Sequence, residues 1–170
     1  MASMPLHEAL GPLAWLEGTW LLEGQGDGKY PTIQDFNYYE ELSFTSMGQP
    51  MFNYTAQSYA LDLRKPMHRE TGFVKVNPAT GQVTLISAHS FGLTTIECGE
   101  TFDNAVTFNS TDITRMEGAK MPHVTQVRRE FKLHDNCLEY VLYMATSNTP
   151  VLTEHLRAKY VKASEGFKRW

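Results

Sequence analysis

Six histidines, at positions 7, 68, 89, 123, 134 and 155, carry most of the metal-binding capacity of this 170-residue chain. His155 is the most informative. It lies in Pro150-Val-Leu-Thr-Glu-His-Leu-Arg-Ala-Lys-Tyr-Val161, which reads as the last strand of an all-β protein. A neutral imidazole there can ligate a metal or a haem iron. His68 follows Met67 at the start of another strand, where facing a cavity mouth and simply lining a barrel rim are equally compatible with the residues around it. His7 and His134 sit in terminal and turn contexts and are expected in solvent. His89 and His123 flank strands, where a structural role is open to them.

Other chemistries find less support. No Ser/His/Asp order or Cys/His pair stands out. Cys98 and Cys137 offer neither a disulfide framework nor zinc-ligand spacing, so reduced thiols in the cytosol are expected. Glu40-Glu41 reads as a pair of solvated strand residues. Gly24-Gln-Gly-Asp-Gly28 superficially resembles a phosphate loop, but it lacks the following Lys-Ser/Thr and opens no helix. Its glycines are expected to serve a rim loop or a strand bend. Met47, Met51, Met67, Met116, Met121 and Met144 can furnish an adaptable apolar pocket, and core packing explains them equally well.

The elements that must position these residues are strands. Aromatic residues make up 12% of the chain, which suits sheets better than helices. Gly18–Glu23 is followed by runs at Thr32–Ser46, Pro50–Tyr59, Pro66–Asn77, Gln82–His89, Leu93–Thr101, Ala105–Asp112, His123–His134, Cys137–Ser147 and Thr153–Lys162. Several alternate in polarity, as in Val127, Arg129 and Phe131 against Arg128, Glu130 and Lys132, which is the signal of a half-buried strand. Asn77-Pro-Ala-Thr-Gly81 and His134-Asp-Asn136 supply turn chemistry. Ten such strands without crossover helices predict an antiparallel sheet. Closure removes its edges, giving a ten-stranded up-and-down β-barrel of the lipocalin or fatty-acid-binding kind, wide enough to hold a ligand. Leu6–Glu17, broken by Gly11-Pro12, is expected to form one or two short turns that plug one end through Leu10, Leu13, Trp15 and Leu16. The residues from Glu165 to Trp170 read as a frayed end.

A hydrophobic fraction of 42% and a net charge of −4 describe an ordinary globular chain with no footprint for nucleic acid or an anionic membrane. No run approaches the ~20 apolar residues of a membrane span, and the opening Met1–His7 lacks the features of a signal peptide. A cytoplasmic location, with the nucleus also open, is therefore expected. The residues themselves leave the function at a barrel that holds an apolar ligand.

Seven segments carry a resemblance. They are Leu13–Trp20, Gly28-Lys-Tyr-Pro-Thr-Ile33, Gly48-Gln-Pro-Met51, Arg64-Lys-Pro-Met-His-Arg-Glu70, Pro122-His-Val124, Met144-Ala-Thr146 and Thr153-Glu-His-Leu156. In this order they resemble the nitrobindin family of haem-binding β-barrels, and most of all its branch within animal THAP-domain proteins. The resemblance runs from residue 13 to about 162 and implies one nitrobindin-like domain over 1–170. It implies one haem b per chain with His155 as proximal iron ligand and catalytic residue. Thr32, Met67, His68 and Met144 are implied as further haem-pocket residues. The implied activities are binding of nitric oxide and isomerisation of peroxynitrite to nitrate. A non-enzymatic carrier of a fatty acid or similar molecule in the same barrel is the alternative, and a homodimer stays open.

Two departures bear on the site. The family's opening Gly-x-Trp-x-Gly-x-Gly appears as Gly18-Thr-Trp20 with its later glycines moved to Gly24 and Gly26, as in the animal branch, so the rim is expected to differ in shape. Strict alternation in Thr153–Lys162 sets His155 with Arg157 and Lys159, opposite Leu156, Ala158 and Tyr160. Either a bulge re-aims His155, or the apolar set packs on the outside.

Overall fold

The computed structural model describes residues 4–24, 26–28, 36–61 and 65–164. Its strands are β1 (Gly18–Leu22), β2 (Gly26–Gly28), β3 (Phe36–Gln49), β4 (Met51–Ala60), β5 (Pro66–Val76), β6 (Val83–His89), β7 (Leu93–Phe102), β8 (Ala105–Arg115), β9 (Val124–His134), β10 (Cys137–Thr146) and β11 (Thr153–Lys162). From β3 to β11 each strand pairs antiparallel with the next.

Closure is made by β1 and β2 together. β1 lies between the C-terminal part of β11 and residues 41–44 of β3, while β2 lies between Leu156–Arg157 and residues 36–38. The two short strands thus form one interrupted stave. The eleven strands fill ten positions, and the result is the closed ten-stranded antiparallel barrel expected from the sequence. Two glycines make the interruption possible. Gly24 turns the chain at a φ of +72°, and a Cβ on Gly26 would stand 2.3 Å from the Tyr38 ring. The glycine-rich segment is therefore a strand bend.

One end of the lumen is sealed. Residues Glu8–Leu16 form a 3-10 helix, whose three residues per turn align Leu10, Leu13 and Leu16 on one fully buried face. Trp20 donates its indole N–H to the Leu16 carbonyl at 2.8 Å, and Ser46 donates to the Pro5 carbonyl. Beneath the helix, Phe44, Phe52, Phe108 and Phe131 pack edge-to-face in the core. His7 is not solvent-exposed as expected. It is half-buried and caps the helix by accepting from the Ala9 amide. Among the described residues no helix is long and apolar enough to cross a membrane.

Candidate functional site

The other half of the lumen holds a cavity of about 320 Å³. Its inner wall comes from alternate residues of successive strands, and its floor is polar. Arg129 stands at the centre, buried on β9. Its Nε donates to both Glu97 oxygens at 3.1 and 2.9 Å, and its Nη1 donates to Glu70 Oε2 at 2.7 Å and to the Tyr140 hydroxyl at 3.2 Å. Tyr54 donates to the same Glu70 oxygen, and Tyr160 donates to Glu40.

The charges of this floor follow from burial and neighbours. Burial works to raise the Glu70 carboxyl, but Arg129, His89 and His68 outweigh it and hold Glu70 well below the usual carboxylate range. Burial pushes Glu40 up to about 7, against the Tyr160 hydrogen bond. Glu97 is also raised by burial, which Arg129 and Thr95 only partly offset. His89 is lowered to about 4, chiefly by burial and despite the attraction of Glu70. The contact between His89 and Glu70 is therefore not a standing ion pair at neutral pH.

His155 enters the cavity through a break in β11. The β10–β11 pairing runs Leu142↔Leu156 and then Tyr143↔Glu154, so His155 is the extra residue of a β-bulge. The bulge puts His155 and Leu156 both on the buried side, while Glu154 and Arg157 face outward and pair with each other. This settles the conflict raised by strict alternation: the apolar set faces inward and the bulge adds His155 to it. His155 is 2% exposed, and its Nδ1 lies 2.7 Å from the Thr153 carbonyl. A carbonyl can only accept, so Nδ1 carries the proton and Nε2 is the ring nitrogen of the type that ligates a metal.

The structure brings together most of the residues expected at the site. Met67, His68 and Met144 line the same cavity as His155. β5, which bears His68, lies four staves from β11 by one route and six by the other, so His68 and His155 come from opposite sides of the barrel. Thr32 lies outside the described residues, as do Glu165–Trp170. Of the other methionines considered, Met47, Met51, Met116 and Met121 are not in the lining, and the last two are exposed. Glu40 is buried on the cavity wall, not solvated, and only Glu41 of that pair is partly open.

The residues present suit a haem. One buried imidazole is oriented by a backbone carbonyl, as metal-binding histidines commonly are. Around it stand Leu142, Leu156, Val124, Val127, Leu93 and Phe91, an apolar wall for a flat macrocycle. The mouth opens past Met67, which is 42% exposed.

Comparison with known proteins points the same way. Residues 9–162 match the model of the THAP4-like, heme-binding beta-barrel domain. The chain belongs to this family. It is 41% identical over 160 residues to the human protein named Peroxynitrite isomerase THAP4, covering 94% of this chain but only 28% of the human one. A Nocardia farcinica protein named Peroxynitrite isomerase is 41% identical over 163 residues, with 92% of each chain covered. The crystal structure of Rv2717c from M. tuberculosis superimposes with a TM-score of 0.82 at 34% identity, covering 94% of this chain and all of that one.

Sequence reasoning missed the charged floor. Glu40 is in phase with Tyr38, Leu42 and Phe44, Glu70 with Val74 and Val76, and Arg129 with Val127 and Phe131, all of them buried. A charged residue in phase with an apolar strand face was the available signal.

Proposed function

We propose that this chain binds one haem b through His155 Nε2 and isomerises peroxynitrite to nitrate, with nitric oxide as a second small ligand. The observation that carries this reading is the bulge at His155. A strand gives up regular pairing there and directs an imidazole, with its tautomer fixed by the Thr153 carbonyl, into an apolar cavity. The Nocardia farcinica relative named for this activity, matched over 92% of its length, supports the reaction.

A haem held by His155 would supply an iron able to bind and polarise a small oxidant, with pocket polarity and access selecting the chemistry. The chain supplies the rest. His155 fixes the orientation of the pocket, and Leu142, Leu156, Val124 and Val127 exclude bulk water from it. Met67, His68 and Met144 border the space where a small oxidant is held, and Thr32 keeps the haem-contacting role implied by the resemblance. The buried floor closes the lumen from below, so ligands enter from the rim. We place this function in the cytoplasm.

Stopped-flow decay of peroxynitrite with the haem-loaded protein tests the reaction. Faster decay than with an equal concentration of free hemin, nitrate as the product and less nitration of added tyrosine are expected. Decay no faster than with free hemin would overturn the enzymatic reading.

A further inference from the structure

The floor contains a second set of metal-type ligands, distinct from His155. His68 and Glu70 are two residues apart on β5 and share its inner face, and Glu70 is the cross-strand partner of His89 on β6. Their ligand atoms converge. His68 Nε2 lies 3.0 Å and His89 Nδ1 lies 3.3 Å from the same Glu70 oxygen, and the three atoms lie within 4.8 Å of one another. A zinc-class ion held tetrahedrally at about 2.0–2.1 Å spaces its ligands by about 3.3–3.4 Å, so two of the three edges already have nearly that length.

The surrounding hydrogen bonds give a second, independent indication. Thr95 donates to the Glu97 carboxylate at 2.7 Å, which leaves its oxygen to accept from Ser87 at 2.9 Å. With its hydroxyl proton so used, Ser87 accepts from His89 Nε2 at 3.2 Å. This direction turns His89 Nδ1 toward the Glu70 oxygen, where two acceptors meet unless a cation lies between them. A proton would also satisfy that pair; a metal ion would in addition use the His68 ring nitrogen, 3.0 Å from the same Glu70 oxygen, as a third ligand. Arg129 and Tyr54 hold the other Glu70 oxygen in place, as outer partners of metal ligands do.

We propose that His68, Glu70 and His89 form a binding site for one divalent transition-metal ion of the zinc class, facing the cavity across from His155. Two imidazoles and one carboxylate are a donor set that such ions accept, and the cavity side leaves a fourth position for water or a small anion. The site shares the cavity and His68 with the proposed haem pocket, but its three ligands stand together without a haem.

Titration of the chelator-treated, haem-free full chain tests it, with Zn²⁺ followed by calorimetry and Co²⁺ by its ligand-field absorption. One saturable ion per chain with tetrahedral Co²⁺ bands is expected. His68→Gln and His89→Gln should each weaken binding by at least about tenfold, and His155→Ala should leave it unchanged. The His68 side chain is 31% exposed against 5% for His89, so its variant keeps the test valid if His89→Gln does not fold. No saturable binding by the wild type, or unchanged affinity in His68→Gln, would overturn the site. Loss of hemin binding in His155→Ala is read separately, so the two readings fail independently.

Discussion

The two ends of the barrel lumen are built by opposite rules. The sealed end is aliphatic and aromatic, with Leu10, Leu13 and Leu16 laid over a phenylalanine cluster. The open end buries Glu40, Glu70, Glu97, Arg129, His89 and His155 around a cavity. Apolar burial at about 25 cal/mol per Å² stabilises the first without geometric demands. The second is stable only as a complete network, because each buried ion depends on its partners. Stability is therefore concentrated below the floor, and ligand chemistry above it.

The largest effect is expected at Arg129, at the centre of the charged floor. Arg129→Met leaves Glu70 and Glu97 buried without their cation and should cost about 3–5 kcal/mol in urea unfolding. A loss below about 1 kcal/mol would show that water or protonation replaces the arginine. At the sealed end, Leu13→Ala should cost about 3 kcal/mol through lost burial and a residual cavity. Hemin affinity should stay unchanged in this variant. If affinity falls with stability, the two ends are not separate.

The smallest effect sharpens the boundary between them. In the fold Glu40 titrates at about 7, above its ordinary 4.5, so its protonated form is the one the fold favours. Its contribution is fully present below the unfolded value and is lost as pH rises through about 7. Glu40→Gln keeps an acceptor for Tyr160 and has no charge to lose. Relative to wild type it should therefore gain roughly 2–3 kcal/mol between pH 4.5 and 8, read as the difference between two urea–pH series. His89, depressed to about 4, gives both proteins the opposite slope between about 4 and 6.5, and the difference removes it. A constant difference across pH would place Glu40 in contact with solvent.

Much of this was legible in the sequence, for identifiable reasons. Period-two alternation gave the ten staves, and the turns at Asn77–Gly81 and His134–Asn136 were readable because Gly81, Asp135 and Asn136 accept positive φ. The split of the first stave was not, because it depends on Tyr38 lying over Gly26 from another strand. The resemblance singled out His155, whereas its orientation was not legible. A bulge is a property of two paired strands, and residues 153–162 alone do not show that Tyr143 pairs with Glu154. Glu40 was misread because its neighbour Glu41 made the two look like solvated strand residues, although only Glu41 is in phase with the outer face.

The proposed function rests on His155, turned inward by the bulge, as the iron ligand. Hemin titration of the wild type and of His155→Ala, followed in the Soret region with circular dichroism as a fold control, tests this most directly. A saturable one-to-one Soret shift in the wild type, lost in a His155→Ala protein that keeps its β-sheet spectrum, is the predicted result. An unaltered Soret shift in His155→Ala would contradict it, and would leave the bulge without a role at the iron.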